Sequence, residues 1–206
     1  MNMQLQQAAQ QQARIAKYDD CVRDADRALI YDFLAQPGWG FGWKSDPMTD
    51  RYSFFHKHFA GMISPDHYES SNIGSQPDCS EDLGRNAPLL LGFWRALNST
   101  VMKGHRLVRC YANGQTYGSE GTVHTDSVAA NSYTLIYYPH EIWTPNWGGE
   151  TVFLDEMRSD ILASIYPKPN RLISFPGRIP HVARGVTRSC PLMRITLMFK
   201  TEMQDL

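Results

Sequence analysis

Apolar residues recur at three- and four-residue spacing through Ile15, Tyr18, Val22, Ala25, Leu29 and Phe33, and the stripe stops at Gln36-Pro37-Gly38. That repeat is one face of an amphipathic helix ended by helix-breaking residues. The six glutamines between Gln4 and Gln12 read as the same helix fraying into solvent. The texture then changes: Gly38-Trp39-Gly40-Phe41-Gly42-Trp43 and Tyr52-Ser53-Phe54-Phe55-His56-Lys57-His58-Phe59 mix glycine with large aromatics, with no clean period of either kind. This region is expected to be irregular chain packed against the core. A second helix is predicted from Asn86-Ala87-Pro88 onward, with Leu90, Trp94, Leu97 and Val101 on one face and Gly104 as its stop.

From Arg106 the pattern becomes that of strands. Short runs rich in β-branched and aromatic residues cover 106–111, 121–125, 132–138, 150–154, 161–166, 171–175, 181–186 and 192–200. Turn chemistry separates them at Ala112-Asn113-Gly114, Pro145 to Gly149, Pro167 to Asn170, Pro176-Gly177 and Ser189-Cys190-Pro191. About eight short strands after two helices predict a mainly β fold with supporting helices: an antiparallel barrel or jelly roll, the cupin-like double-stranded β-helix. No internal repeat or interdomain linker interrupts the chain, so 1–206 is read as one domain. Residues 1–104 form its helical and irregular support, and 105–201 its jelly-roll core.

Composition narrows the function classes. The chain has 206 residues, 42% of them apolar, enough for one buried core. Twenty Lys plus Arg against 21 Asp plus Glu leave a net charge of −1, so no basic field points to nucleic acid or an anionic membrane. The longest apolar stretch, Ala87 to Trp94, is far short of the roughly 20 residues of a membrane span. The N-terminal residues lack the basic and apolar regions of a secretory signal, which predicts a cytoplasmic protein. Cys21, Cys79, Cys110 and Cys190 are scattered and read as reduced thiols. Oligomeric state is not legible, and the expected partner is a ligand in a local pocket.

The chemistry falls among the strands. His124 and Asp126 are two residues apart, a spacing that puts both side chains on one face of an extended segment. His181 follows a Pro-Gly turn at the start of another strand. Two histidines and one carboxylate on one face of a metal leave three positions open, the arrangement of non-heme Fe(II) oxygenases. A structural zinc site would be closed by four ligands, often cysteines.

In order along the chain stand Arg109-Cys-Tyr111-Ala-Asn-Gly-Gln-Thr-Tyr117, His124-Thr-Asp126, Thr134-Leu-Ile-Tyr-Tyr138, Trp147-Gly-Gly-Glu-Thr-Val-Phe153, Pro169-Asn-Arg-Leu-Ile-Ser-Phe175, Pro180-His181 and Arg194-Ile-Thr-Leu-Met-Phe199. This succession resembles the Fe(II)- and 2-oxoglutarate-dependent dioxygenases, particularly their prolyl-4-hydroxylase-like branch. The resemblance implies that His124, Asp126 and His181 bind Fe(II), that 2-oxoglutarate is the cosubstrate and dioxygen the oxidant. It also implies a basic anchor for the cosubstrate's 5-carboxylate on the last strand. Arg194 is that anchor by strand parity, sharing a face with Thr196, which the resemblance puts on the pocket side. The family's spacing from the distal histidine falls between Arg188 and Arg194, so Arg188 is the alternative. Tyr138 matches a tyrosine that hydrogen-bonds the same carboxylate, and Tyr111 a second pocket-lining position.

The implied reaction hydroxylates an unactivated C–H of a small amino-acid-like, carrier-bound or peptidyl substrate, releasing succinate and CO2, with no catalytic group beyond the metal ligands. A protein prolyl hydroxylase is the alternative within the enzyme class, and a non-catalytic metal-binding, cupin-like sensor or binding module the alternative outside it. His56, His58, His67, His105 and His140 match no block and read as surface or structural. Trp39, Trp43, Phe54 and Phe55 read as core, or as a wall over the site.

Overall fold

A large antiparallel sheet and a small one face each other in this computed structural model, which describes residues 14–46, 49–62 and 77–204. The strands are β1 (Ala16–Tyr18), β2 (Gly40–Trp43), β3 (Phe54–Ala60), β4 (His105–Gln115), β5 (Ser132–Tyr138), β6 (Thr151–Leu154), β7 (Ile161–Ile165), β8 (Arg171–Pro176), β9 (His181–Ala183) and β10 (Arg194–Met203). The large sheet runs β1-β8-β5-β10-β4-β3-β2 and the small one β7-β6-β9. The helices are α1 (Asp24–Ala35), α2 (Ser80–Asn86) and α3 (Pro88–Ser99). This is the expected mainly β architecture with helical support. Among the described residues, no helix is long and apolar enough to cross a membrane.

Period-two alternation divides β10 cleanly. Ile195, Leu197 and Phe199 point to the helices, while Arg194, Thr196, Met198 and Lys200 point to the other side. On the helix side, Phe93 and Trp94 of α3 and Ile30 and Leu34 of α1 bury against Leu135 and Tyr137 of β5, Phe199 of β10 and Ala112 of β4. Phe93 sits edge-on to Tyr137 at 4.9 Å, and Trp94 stacks on Phe199 at 5.9 Å. Pro88 opens α3 at a position whose N–H would have no helical partner.

The structure corrects several sequence expectations. The helix predicted from Ile15 begins only at Asp24, because Ala16 to Tyr18 pair with Ser174 to Leu172 of β8. Asp19 is held by Arg171 and Lys168, and the Asn170 side chain bonds both the N–H and the C=O of Val22. These long-range bonds outcompete the local helical pattern. Within α1 the buried face is Ile30 and Leu34, whereas Leu29 is 56% exposed. The glutamine-rich start lies outside the described residues.

The aromatic region is not irregular but forms β2 and β3; aromatic and histidine side chains occupy both faces and hide the alternation. Helix α2 was not expected, and Val101 lies beyond the end of α3, exposed. Ala112 to Gly114 is not a turn but lies inside β4, where Gly114 packs under Met193 and Trp39. A Cβ there would fall 2.6 Å from the Met193 sulfur. Residues 121–125 make no ladder, only a single bridge from His124 to His181.

Candidate active site

The pocket opens between the two sheets on the side of the large sheet away from the helices. His124, Asp126 and His181 meet in it, each offering one ligand atom within 4.8 Å of the others. Their convergence is built by backbone. His124 and His181 exchange N–H···O=C bonds at 3.0 and 2.9 Å, and the Asp126 N–H donates to Gly177 O at 2.8 Å across the Pro176-Gly177 turn.

Each imidazole is oriented by its own loop. Nδ1 of His124 lies 2.9 Å from Thr122 O, and Nδ1 of His181 2.9 Å from Ile179 O. A carbonyl can only accept, so Nδ1 carries the proton and Nε2 keeps its lone pair, the tautomer a metal requires. His124 Nε2 is 3.6 Å from Asp126 Oδ1, and His181 Nε2 is 3.3 Å from Asp126 Oδ2. Phe175 and Phe153 pack around the His181 ring at 4.7 and 5.9 Å, keeping that side apolar.

Asp126 is further held by Thr134, whose hydroxyl donates to Oδ2 at 2.6 Å, and by an ion pair with Lys200. Lys200 Nζ also donates to Thr134 Oγ1 at 3.0 Å. Burial opposes ionisation of Asp126, yet the Lys200 ammonium beside it holds its carboxyl well below the ordinary range. The carboxylate is therefore ionised and ready for a cation. Two neutral imidazoles and one carboxylate fit a divalent metal bound on one face, with open positions for further ligands.

At the other end of the same strand lies Arg194, 2% exposed. Its Nε donates to Gly149 O at 2.7 Å, Nη1 to Gln115 Oε1 at 2.8 Å and Nη2 to Thr151 Oγ1 at 3.2 Å. Tyr138 shares that threonine hydroxyl at 2.7 Å, and its ring centre is 5.6 Å from the guanidinium carbon. Burial lowers the Arg194 pKa, but a guanidinium stays cationic, and none of its described hydrogen-bond partners is an anion. Two of its five N–H groups remain for a ligand. Gly149 makes the approach possible: at φ +80° a Cβ would be strained and would stand 2.9 Å from Arg194 Cδ.

Thus the structure brings His124, Asp126, His181, Arg194, Thr196 and Tyr111 to one pocket, with Tyr138 buried just behind Thr151. Arg188 is exposed in the connection before β10 and does not line the pocket. Trp43 and Phe54 form part of the wall, while Trp39 packs on the helix-side core and Phe55 faces Phe41. Of the unmatched histidines, His105 contacts Thr201, and His140 accepts from the Ile195 N–H at 2.9 Å. His56 stacks on Trp43, His58 bonds Gly61 O, and His67 lies outside the described residues.

Sequence reasoning missed Lys200, Gln115, Thr134, Thr151 and Asp50. Strand parity was an available signal for two of them, since Lys200 shares the face of Arg194 and Gln115 that of Tyr111. Asp50 had none. Its buried carboxylate accepts from the backbone of Ser45, Asp46 and Thr122, tying Ser45 and Asp46 to the approach to His124.

No curated protein sequence matches the chain. Solved structures do, at low identity. A 2OG-Fe(II) oxygenase-family oxidoreductase from Burkholderia pseudomallei has a TM-score of 0.67 at 15% identity, covering 99% of this chain and 92% of that one. A Pseudomonas putida prolyl-4-hydroxylase has a TM-score of 0.56 at 15% identity, covering 96% and 100%. HygX from Streptomyces hygroscopicus, solved with nickel and 2-oxoglutarate, has a TM-score of 0.58 at 10% identity, covering 98% and 87%. These likenesses establish the fold. Residues 107–199, from β4 through most of β10, match the model of the 2OG-Fe(II) oxygenase superfamily, and that matched segment carries His124, Asp126, His181 and Arg194.

Proposed function

We propose that the chain hydroxylates an unactivated C–H of a small amino-acid-like substrate, free, carrier-bound or peptidyl, with release of succinate and CO2. In this reading His124, Asp126 and His181 hold Fe(II), and Arg194 anchors the distal carboxylate of 2-oxoglutarate with Tyr138 and Thr196 beside it. Tyr111 lines the space between. The whole chain acts as one oxygenase domain, because the support half supplies Trp43, Lys44, Ser45 and Phe54 to the pocket.

One observation carries the reading: two imidazoles with a carboxylate, and a buried guanidinium with no anionic partner among the described residues, share one pocket. A metal-binding module without catalysis would have no use for that cation, which is expensive to bury unpaired. When bound, iron and 2-oxoglutarate together supply the oxidising power with dioxygen. The protein's own residues position and exclude. Thr134 and Lys200 fix the carboxylate, the two backbone carbonyls fix the imidazole tautomers, and Phe153 and Phe175 keep water from the His181 side. No side chain needs to move a proton.

Anaerobic addition of Fe(II) and 2-oxoglutarate tests this directly. A weak visible metal-to-ligand charge-transfer band is expected, followed by slow succinate release on admitting air. Folded protein that gives neither band nor succinate would overturn the proposal.

A further inference from the structure

The geometry points to Arg109 as the residue that recognises a free carboxylate on the substrate to be hydroxylated, an inference that rests on the oxygenase reading above. The pocket face of β4 carries Arg109, Tyr111, Asn113 and Gln115, facing Lys200, Met198, Thr196 and Arg194 of β10 in register. The cations on this face therefore sit at opposite ends of the pocket. Arg194 pairs with Gln115 at one end, while Arg109 and Lys200 are cross-strand neighbours at the other, six residues along β4. Six residues of strand span about 20 Å.

The cations differ in what they hold. Lys200 is committed to Asp126. The Arg109 guanidinium lies 4.9 Å from the centre of the Tyr111 ring, and no described carboxylate comes within ion-pair distance of it. No described side chain or carbonyl accepts a hydrogen bond from it. A half-buried guanidinium fixed on an aromatic face, with its donors unspent on the described residues, is pre-organised for an anion. Its backbone is fixed as well. Gly61, at φ +90°, packs so closely that a Cβ would lie 2.3 Å from Val108 O and 2.9 Å from Arg109 Cα.

Position and donor count choose the ligand. Directly paired antiparallel residues stand about 5 Å apart, so an anion on Arg109 lies within a side chain's length of the Lys200–Asp126 pair and hence of the metal ligands. One fork of N–H groups matches the two oxygens of a carboxylate, whereas phosphate sites gather several backbone and side-chain donors. The substrate class is thus a small acid whose reacting carbon is a few bonds from its carboxylate, such as an amino acid with a free α-carboxylate.

The test labels the full-length protein, loaded anaerobically with Fe(II) and 2-oxoglutarate, with p-hydroxyphenylglyoxal, and reads Arg109 modification by mass spectrometry. Free amino acids, N-acetyl amino acids, their amides, peptides with internal Asp or Glu, and inorganic phosphate are the protectants. Arg109 should be modified, and at least one free α-acid should reduce its labelling several-fold while the matching amide does not. No labelling, no protection by any acid, or equal protection by acid and amide would overturn the inference. Protection only by phosphate or only by acidic peptides would overturn the assignment to a free α-carboxylate. With an acid that stimulates succinate release, Arg109→Met should raise its KM about tenfold to a hundredfold and Arg109→Lys less. An unchanged KM would count against it. The charge-transfer band separates the two ideas: its absence overturns the oxygenase reading, whereas a normal band with unprotected Arg109 overturns this inference alone.

Discussion

The two faces of the large sheet are made by the same strands and obey different physics. On the helix side, Leu135, Leu197 and Phe199 are apolar and fully covered, and their contribution follows from area and shape. On the pocket side, the alternate residues Thr134, Tyr138, Arg194, Thr196 and Lys200 are just as buried, yet each polar group among them must be answered by a specific partner. Burial alone therefore does not separate core from site in this protein. What separates them is whether the buried group has spent its bonding capacity on the protein.

Substitutions on the two faces should fail in different ways. The largest effect is expected from His181→Ala, which removes a proposed metal ligand: succinate release should fall to background while the folded protein persists in circular dichroism. Loss of fold instead would place His181 with the core. On the opposite face, Phe199→Ala should cost about 3–5 kcal/mol in urea unfolding, with no selective change in the KM for 2-oxoglutarate of the folded fraction. Arg194→Met should raise that KM on the order of a hundredfold with little change in stability, and Arg188→Met should leave it alone. The reverse outcome would move the anchor to the connection before β10.

The smallest expected effect sharpens the comparison, because His140 is buried on neither face but just past the end of β5, against Tyr31 and Trp143. Burial, with Arg194 and Arg27 nearby, pushes its pKa down from 6.5 to about 3. The folded state thus keeps His140 neutral where the unfolded chain protonates it, so stability is lost as pH falls from 6.5 toward 3. Between pH 6.5 and 5 the loss should be about 2 kcal/mol. His140→Gln, which can still accept from Ile195 N–H, should remove that part of the pH dependence in parallel urea titrations.

How much of this was legible depends on how local each cause is. Strands β5 and β8 were readable because short apolar runs end at Pro and Gly signals, and the sheet boundaries fall within a residue of them. The candidate metal-binding trio could be named because its residue types and spacing are chemical requirements for a metal, and the structure brings the three together. Ala16 to Tyr18 looked helical because its partner, β8, lies some 150 residues away. Asp50 was invisible for the same reason: its role exists only once Thr122 is brought beside it.

Strand β10 sits between β4 and β5 although it follows both in sequence. During synthesis β4 and β5 leave the ribosome with facing edges unpaired, and at about 5–20 residues per second they wait several seconds for the strand that joins them. That strand also brings Arg194 and Lys200. Closing the sheet and completing the pocket are therefore one event, so a nascent chain lacks the finished pocket until β10 is in place.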